Sequence, residues 1–540
     1  MRLLRTIAKN IMQFFISAIV HASNKDIVKN PAWVFRFRFF LFHAHKVGRN
    51  DFGSFFFVFS RYRTKVYFLK KNNPDLLKTY KAYFKSADDG NKFYLIKAFY
   101  LLGLFDSELC EMSLDYAKKV DNFDFKYWIA LDLTYIVFRN PDALFPTYYK
   151  QRRELFADIA KRVEYERPAM SNSPNANKVC IIVFTLNGKL SNSMQRITTM
   201  IANGLLSANQ NNIISVVVSD AFALSKEEKP FSSLFPLSYS EQYSKDINEL
   251  FSDKISVFYP PVLSVKDRMI WLINKIVELN PSIVLDVTDE TSPISYYYSK
   301  YYPTIYLPIR GVFSSSFFTT IINPTIVSEQ NESLDSKRLV TFDFPEYVPP
   351  KGPTFFRKDF SLCEDDFVIV SIGSGYGFDV DFYTNICQLL HKHPKMKWVL
   401  VGFPVPKHLK SSFRSLFHQG RIIEHGYEQN LVSFCEICDV CLRPNWVGGS
   451  GGTAMAAMAK LPIVLTTYNS DPLRWLGKDY TSLTDYHELA NEIEKLYLDK
   501  DYYKYRSEET FDKIKFAMES DSSWKQLDTI LKSQIEDWWS

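Results

Sequence analysis

From residue 178 onward the chain alternates short apolar runs with amphipathic stretches, and this alternation constrains its fold more than any other feature. The runs VCIIVFTL (179–186) and SIVLDVTD (282–289) are almost continuously apolar, as parallel strands covered on both faces are. Between them, SMQRITTMIANGLLS (193–207) and DRMIWLINKIVEL (267–279) have the three-to-four spacing of helices. Alternation of this kind predicts a doubly wound α/β sheet.

A second series of the same kind follows the proline-rich passage PEYVPPKGP (345–353). We predict strands at FVIVSIGSG (367–375) and KWVLVGFP (397–404), with the helix DFYTNICQLLHKHP (381–394) between them. The chain therefore has the pattern of two Rossmann-like domains facing a cleft. In such folds ligands bind at the carboxyl ends of the strands.

The part of the chain before the first series has helical spacing and no strand pattern, so we expect an all-α N-terminal domain ahead of the α/β fold. A polar, proline-bearing stretch ends it. The predicted segments are a basic helical domain (1–170), a first Rossmann-like domain (178–345), a second one (354–510) and a C-terminal helix (511–540).

The charge of the chain is unevenly distributed. Residues 1–85 contain 17 Lys or Arg and three acidic residues, whereas the rest contains 48 basic and 57 acidic residues. The stretches RFRFFLFHAHK (36–46) and FFFVFSRYR (55–63) interleave aromatic with basic residues, as interfacial membrane segments do. We therefore expect an anionic membrane surface rather than nucleic acid as a partner. The alternative is a helical domain that simply has a solvated basic rim.

Seven cysteines, an odd number spread along the chain, are typical of a reducing compartment and predict a cytoplasmic protein. Cys435, Cys438 and Cys441 are spaced three apart, but no fourth ligand lies nearby and DVCL reads as a buried strand. We interpret these cysteines as core residues and predict no metal site. No apolar run approaches the roughly 20 residues of a membrane-spanning helix.

Four glycines lie within GGSGGTAMAAMAKLPIV (448–464), although the chain has only 19 glycines in 540 residues. Glycine is kept where the main chain must turn sharply or be approached closely. Here the glycines precede a helix of small residues, and the N–H groups at a helix N-terminus bind anions. The stretch is therefore a candidate anion-binding turn, with a tight structural turn as the alternative.

These stretches together resemble the donor-binding half of bacterial GT-B glycosyltransferases of the group 1 type. The resemblance runs from GSGYGFDVDF (373–382) through RIIEHGYEQN (421–430) to the glycine-rich stretch, and keeps the element order of that family. It implies that 354–510 binds a nucleotide-sugar, that 178–345 binds the acceptor, and that no cofactor or metal is needed. Residues 1–170 match no family.

The resemblance also implies roles for individual residues. Arg443 would neutralise the departing diphosphate, the turn before the small-residue helix would hold the diphosphate itself, and His425 would lie at the nucleobase. The implied donor-binding set is Gly373, Ser374, Gly375, His425, Gly426, Asn445, Gly448, Gly449, Ser450, Gly451, Gly452 and Thr453.

One feature departs from the family. Many retaining members carry a pair of glutamates across this turn, and Gly448 and Ala456 stand at those positions here. An inverting enzyme needs a base for the acceptor hydroxyl. The candidates are the acidic residues at strand ends of the first Rossmann-like domain: Asp220, Asp286, Asp289 and Glu290, of which Asp289 and Glu290 are placed in the catalytic set with Arg443.

The resemblance predicts transfer of a sugar from a nucleotide-sugar to a surface-polysaccharide, lipid-linked or protein acceptor. A basic, aromatic N-terminal segment fits a protein that lies peripherally on the cytoplasmic face of the inner membrane. Two alternatives stay open, and both keep the GT-B fold. One is an inactive partner that stabilises another transferase, and the other is a sugar-nucleotide epimerase.

Overall fold

The computed structural model describes most of the chain after residue 74. The described residues are 75–87, 92–93, 95–96, 99–100, 105–139, 143–163, 177–189, 193–221, 223, 240–261, 263–288, 293–307, 320–323, 339–342, 344–347, 352–373, 380–402, 405, 407–443, 450–468, 470–518 and 521–540. These residues fall into two compact units, one containing the helices up to residue 162 and the other containing both β-sheets.

Up to residue 162, the elements of the first unit whose bounds are described are helices. Its helices are α1 (Asp75–Ser86), α2 (Ser107–Lys119), α3 (Phe123–Arg139) and α4 (Tyr148–Lys161). Asp106 begins α2, since its carboxylate accepts a hydrogen bond of 3.0 Å from the N–H of Leu109. The ammonium of Lys126 is buried and pairs with Asp158, which ties α3 to α4. The all-α domain predicted over 1–170 is described only in part, and as a domain it stays a prediction.

The strongly basic segment lies almost entirely outside the described residues. The interfacial stretches 36–46 and 55–63 are among the residues left undescribed. Among the helices that are described, none combines the length and the apolarity that crossing a bilayer requires. The membrane-surface interpretation of this segment stays a prediction.

The second unit contains a seven-stranded parallel sheet, in the order β3-β2-β1-β4-β5-β6-β7. Its strands are β1 (Lys178–Val183), β2 (Ile213–Val218), β3 (Ile255–Phe258), β4 (Ile283–Val287), β5 (Thr304–Tyr306), β6 (Thr320–Asn323) and β7 (Leu339–Thr341). Ile181 of β1 lies opposite Val216 of β2 and Leu285 of β4. All three are buried, as the continuous apolar runs predicted.

Helices cover this sheet. They are α5 (Ser193–Ala208), α6 (Ser244–Asn248), α7 (Val265–Leu279) and α8 (Ser295–Tyr298). The chain order reverses between β1 and β4, which neighbour each other in the sheet. That reversal is where doubly wound sheets bind their ligands.

A second sheet has five parallel strands in the order β10-β9-β8-β11-β12. Its strands are β8 (Phe367–Ile372), β9 (Met396–Val401), β10 (Ile422–Glu424), β11 (Val440–Leu442) and β12 (Ile463–Val464). The buried Trp398 on β9 donates to the Ser371 hydroxyl at 3.0 Å, and this hydroxyl donates to the Leu442 carbonyl at 2.8 Å. The three central strands are thereby linked through side chains as well as through the backbone.

Nine helices are described around this sheet and after it. They are α9 (Val380–Lys392), α10 (Lys407–Ser412), α11 (Arg414–His418), α12 (Leu431–Cys435), α13 (Ser450–Met458), α14 (Ser470–Leu476), α15 (Tyr486–Leu498), α16 (Lys500–Ala517) and α17 (Asp521–Trp539). Cys435, Cys438 and Cys441 lie buried in the core under this sheet, as the sequence predicted.

Helix α17 returns to the first sheet. The Trp524 indole lies against Gly204 of α5, where an added Cβ would be only 2.7 Å from the indole Cγ. The Asn212 amide also donates to the Asp528 carboxylate at 2.9 Å. These contacts place α17 in the helical layer that covers the first sheet, although Asn212 and Asp528 are 316 residues apart in sequence. The segment predicted as one helix over 511–540 contains the end of α16 and the whole of α17.

Gly204→Ala tests this packing. Alanine usually stabilises an exposed helix interior by about 1 kcal/mol over glycine, but here the new methyl would overlap the indole. We expect the free energy of unfolding to fall by about 1–3 kcal/mol through overpacking. Urea denaturation measures it, with the exposed Ser207→Ala on the same helix as control. A stabilised Gly204→Ala protein would contradict the contact between α5 and α17.

Candidate functional site

The glycine-rich stretch lies at the point where the strand order of the second sheet reverses, between β8 and β11. Arg443 follows β11 directly, and α13 begins at Ser450. A Cβ on Gly452 would lie 2.8 Å from Cγ2 of Ile372, so the first turn of α13 packs on the end of β8. The orphan N–H groups of that turn are thus placed at the carboxyl edge of the sheet.

Arg443 lies beside this turn. Its side chain is buried, with 4% of the residue exposed, and its Nη1 donates to Oγ1 of Thr453 at 3.1 Å. Asp439, which directly precedes β11, pairs instead with Arg357, with 2.8 Å between Nη2 and Oδ2. A buried guanidinium close to a helix N-terminus places two sources of positive potential together.

A second arginine approaches the same turn from the first sheet. Arg196 belongs to α5, and a Cβ on Gly451 would lie 3.0 Å from its Cζ and nearer still to Nη2. Burial lowers the pKa of this guanidinium, while the negative charge of Glu346 acts in the opposite direction. Among the described residues, Arg196 has no hydrogen-bond partner. Gly451 therefore leaves room for the Arg196 guanidinium beside the first turn of α13.

Glu346 and Arg474 complete the charged cluster. The carboxylate of Glu346 accepts a hydrogen bond of 3.0 Å from the Ser450 hydroxyl and pairs with Arg474. Arg474, on α14, also donates from Nη1 to the carbonyl of Phe344 at 2.8 Å. Among the described residues, the charged side chains at the start of α13 are thus three arginines and one glutamate. The turn suits an anion with several oxygens, such as a diphosphate.

The loops after β8, β9 and β10 meet at the same edge. The Gly373 N–H donates to the Val401 carbonyl at 3.0 Å, and the Gly402 N–H donates to the Gly426 carbonyl at 2.5 Å. Gly402 has a φ of +97°, and a Cβ there would lie 2.6 Å from the Gly373 carbonyl oxygen. Gly373, Gly402 and Gly426 therefore lie close together at this edge of the sheet.

His425 is held by its neighbours. Its imidazole stacks on Phe434 with ring centroids 4.6 Å apart and meets the edge of Phe360 at 5.1 Å. Its Nε2 lies 3.0 Å from Oε2 of Glu428. The ring therefore fixes the loop, whereas the neighbouring Tyr427 is exposed. Contact of this loop with a nucleobase stays a prediction.

Asp286 is unsuited to act as a base. It is fully buried, and its Oδ1 accepts from the N–H and the hydroxyl of Thr288 at 2.8 and 2.7 Å. The Tyr298 hydroxyl donates to its other oxygen. Because both oxygens have internal partners and no surface, an acceptor hydroxyl cannot reach this carboxylate.

Asp220 follows β2 in the left-handed region, with φ +45°. Its carboxylate accepts from the Ser240 N–H at 2.9 Å and the Ser240 hydroxyl at 2.6 Å. The same hydroxyl oxygen accepts from the Leu186 N–H at 2.9 Å, in the loop that leads to α5. Burial raises the pKa of Asp220 to about 6. This carboxylate positions the loop before Arg196.

Several predicted site residues lie outside the described residues. They are Asp289, Glu290, Ser374, Gly375, Asn445, Gly448 and Gly449. Their assignments, including the two catalytic carboxylates, stay predictions. Those that the structure brings to one turn are Arg443, Ser450, Gly451, Gly452 and Thr453.

The sequence analysis missed Arg196, Glu346 and Arg474. One signal was present for Arg196, since it is the single charged residue of α5. A single charged residue in a helix that packs on a sheet indicates that its side chain has a binding partner or a function, because charged residues are rarely buried unless they are paired. Glu346 and Arg474 are far apart in sequence, and no local pattern indicates that they meet.

The raised pKa of Asp220 predicts how stability depends on pH. The folded protein holds this proton up to about pH 6, whereas an unfolded chain releases it near pH 3.9. The free energy of unfolding should therefore fall as pH rises from 4 to 7, by about 2–3 kcal/mol relative to Asp220→Asn. Asparagine accepts the left-handed backbone, so it serves as the matched reference.

Urea denaturation of the two proteins at pH 4, 5, 6 and 7 measures this difference, because the other titrating groups are common to both. Parallel pH profiles of the parent and Asp220→Asn would show that the carboxyl is not protonated in the folded state.

No protein-family model and no curated protein matches the sequence. Solved structures do match the fold. A mutant O-GlcNAc transferase from Thermobaculum terrenum aligns at a TM-score of 0.52 and 14% identity, over 88% of this chain and 94% of that one. A glycosyltransferase from Rickettsia africae aligns at 0.49 and 13%, over 67% and 99%. A putative UDP-N-acetylglucosamine 2-epimerase from Listeria monocytogenes aligns at 0.42 and 13%, over 67% and 97%.

At such low identity these similarities concern the fold alone. The alignment with the O-GlcNAc transferase extends over nearly the whole of both chains. It agrees with two parallel α/β sheets in one compact unit. The chain has the GT-B fold of glycosyltransferases, as its donor-half motifs indicated.

Proposed function

We propose that this protein is a glycosyltransferase that moves a sugar from a nucleotide-sugar donor to a surface-polysaccharide, lipid-linked or protein acceptor. One observation carries the proposal: Arg443 and Arg196, from the domains of the two sheets, bring their guanidinium groups to the first turn of α13. Two guanidinium groups beside a helix N-terminus together favour the binding of an anion. A donor diphosphate is such an anion.

The proposed chemistry needs no metal. As the bond between sugar and diphosphate breaks, negative charge develops on the leaving oxygen, and fixed positive groups stabilise it. Arg443 and Arg196 supply the charge, and the N–H groups of residues 450–453 supply hydrogen bonds. The loops at Gly373 and Gly426 would approach the sugar and the base. The proposal extends to the predicted members Ser374, Gly375, Asn445, Gly448 and Gly449.

The stereochemical course follows from what α13 lacks. Ala456 is fully buried in the core, so its position offers neither a carboxylate nor access to a substrate. We therefore propose an inverting transfer, in which Asp289 or Glu290 takes the proton from the acceptor hydroxyl. Both would follow β4, which lies at the chain reversal of the first sheet.

The basic, aromatic segment at 1–63 favours an acceptor at a membrane surface. We propose that it attaches the protein peripherally to an anionic leaflet, since each cation near such a surface contributes about 1 kcal/mol. Co-sedimentation with anionic vesicles at low and high salt measures this attachment. Failure to bind at low salt would favour a soluble protein or glycan acceptor.

A panel of sugar nucleotides tests the main proposal. The donor should raise the melting temperature, because a ligand that binds only the folded state stabilises it. At 100 times its Kd the gain is about 2.7 kcal/mol. The same donor should be hydrolysed slowly without an acceptor. A panel in which no sugar nucleotide shifts the melting temperature would sink the proposal.

Two alternatives are distinguished by the same assay. The absent glutamates at Gly448 and Ala456 favour an inactive partner protein, which would bind a donor without ever releasing its sugar. An epimerase would convert one sugar nucleotide into another while the sugar and diphosphate end up together. Product analysis after incubation with the stabilising donor separates the three functions.

Arg443→Ala should lower turnover by about ten- to a hundredfold, since one charge-assisted hydrogen bond contributes about 1.5–3 kcal/mol. Steady-state kinetics with the identified donor measures it. The exposed Arg414→Ala is the control for loss of a surface charge. An unchanged rate in Arg443→Ala would mean that the guanidinium only supports Thr453 and the start of α13.

A further inference from the structure

A carboxylate lies inside the proposed donor site. Glu346 is 9% exposed, and its Oε1 accepts from the Ser450 hydroxyl at the start of α13 while it pairs with Arg474. It is also the acid whose charge acts on Arg196. A negative charge in this position opposes the binding of an anion.

The backbone holds Glu346 in place. Its N–H donates to the Ala517 carbonyl at 2.8 Å, at the end of α16. The segment 344–347 and the end of α16 therefore lie side by side where the chain passes between the layers of the two sheets. Glu346 is thus a fixed charge and not a mobile surface side chain.

The charges of the side chains at the start of α13 match an intact sugar nucleotide better than a released nucleoside diphosphate. Among the residues that the structure describes at this turn, Arg196, Arg443 and Arg474 with Glu346 give a net charge of +2. The diphosphate of an intact sugar nucleotide carries about −2, whereas a released nucleoside diphosphate carries up to about −3 at pH 7 because its terminal phosphate ionises a second time. The charge of these four described side chains therefore equals that of the donor diphosphate and is about one unit short of that of the product.

We propose that Glu346 is a specificity-determining residue, whose negative charge weakens binding of the nucleoside diphosphate product relative to the donor. The inference rests on the proposed function. The charge favours exchange of the spent nucleotide for a new donor. A residue that only capped α13 would contribute to stability and leave this preference unchanged.

Glu346→Gln tests the inference. Glutamine keeps the size and an acceptor for Ser450, and Arg474 keeps its hydrogen bond to the Phe344 carbonyl. Removing the negative charge of Glu346, which repels the diphosphate, should lower the Kd for a nucleoside diphosphate by about three- to tenfold at low salt. The decrease in Kd should be smaller at high salt. The probes are uridine, guanosine, cytidine and adenosine diphosphates and inorganic pyrophosphate, measured by calorimetry on the full chain.

The matched control is Glu494→Gln, since Glu494 also forms ion pairs, with Lys392 and His393, but has none of the contacts at α13. Its Kd values should equal those of the parent. Glu346→Met removes the same charge without an amide and should show the same gain, so the test does not depend on the folding of one variant.

Tighter diphosphate binding in the Glu346 variants supports the proposal. Equal or weaker binding in variants with a native melting transition overturns it, and the proposed function stands if the parent binds a diphosphate. If neither the parent nor the variants bind any of the five probes, the anion site itself is refuted, and both the proposed function and this inference fall with it.

Discussion

The architecture depends on parallel backbone pairing between strands buried on both faces. β1 between β2 and β4, and β8 between β9 and β11, are the centres of the two ladders. Parallel pairing sends all the strands of a sheet in one direction, so the loops after them meet at a single edge. The turn before α13 therefore lies at a position that topology determines. Which ligand the turn can bind then depends on the side chains that lie beside it.

Charge compensation is the second constraint, and it joins the layers of the two sheets. Arg196 comes from α5, Arg443 from the end of β11 and Arg474 from α14, yet one carboxylate, Glu346, serves this cluster. Among the described residues, three guanidinium groups share this one carboxylate, and such an arrangement favours an anionic ligand. The guanidinium of Arg196 lies in the space that Gly451 leaves, so this contact between α5 and α13 uses a residue without a side chain.

The sequence predicts the fold well because both sheets have continuous apolar strands and spaced helices, such as β1 followed by α5. The site is predicted only where chemistry is local in sequence, as at Arg443 and residues 450–453. Arg196, Glu346 and Arg474 come together through the packing of α5, the 344–347 segment and α14, and no periodicity encodes that. The sequence also could not predict that Asp286 is buried and hydrogen-bonded, because an aspartate at the end of a strand has the same sequence pattern whether its carboxylate is buried or exposed to solvent.

The contact of Trp524 with Gly204 has a consequence for biosynthesis. The hydrogen bond between Asn212 and Asp528 can form only after the ribosome has added the 316 residues that separate them, and until then α17 cannot pack on α5. At synthesis rates of about 5–20 residues per second, that delay lasts tens of seconds. During it the face of α5 that α17 will cover stays exposed on the nascent chain. A ribosome that stalls before α17 releases a protein whose second sheet is whole but whose first sheet still shows an apolar surface, the kind of surface that chaperones recognise.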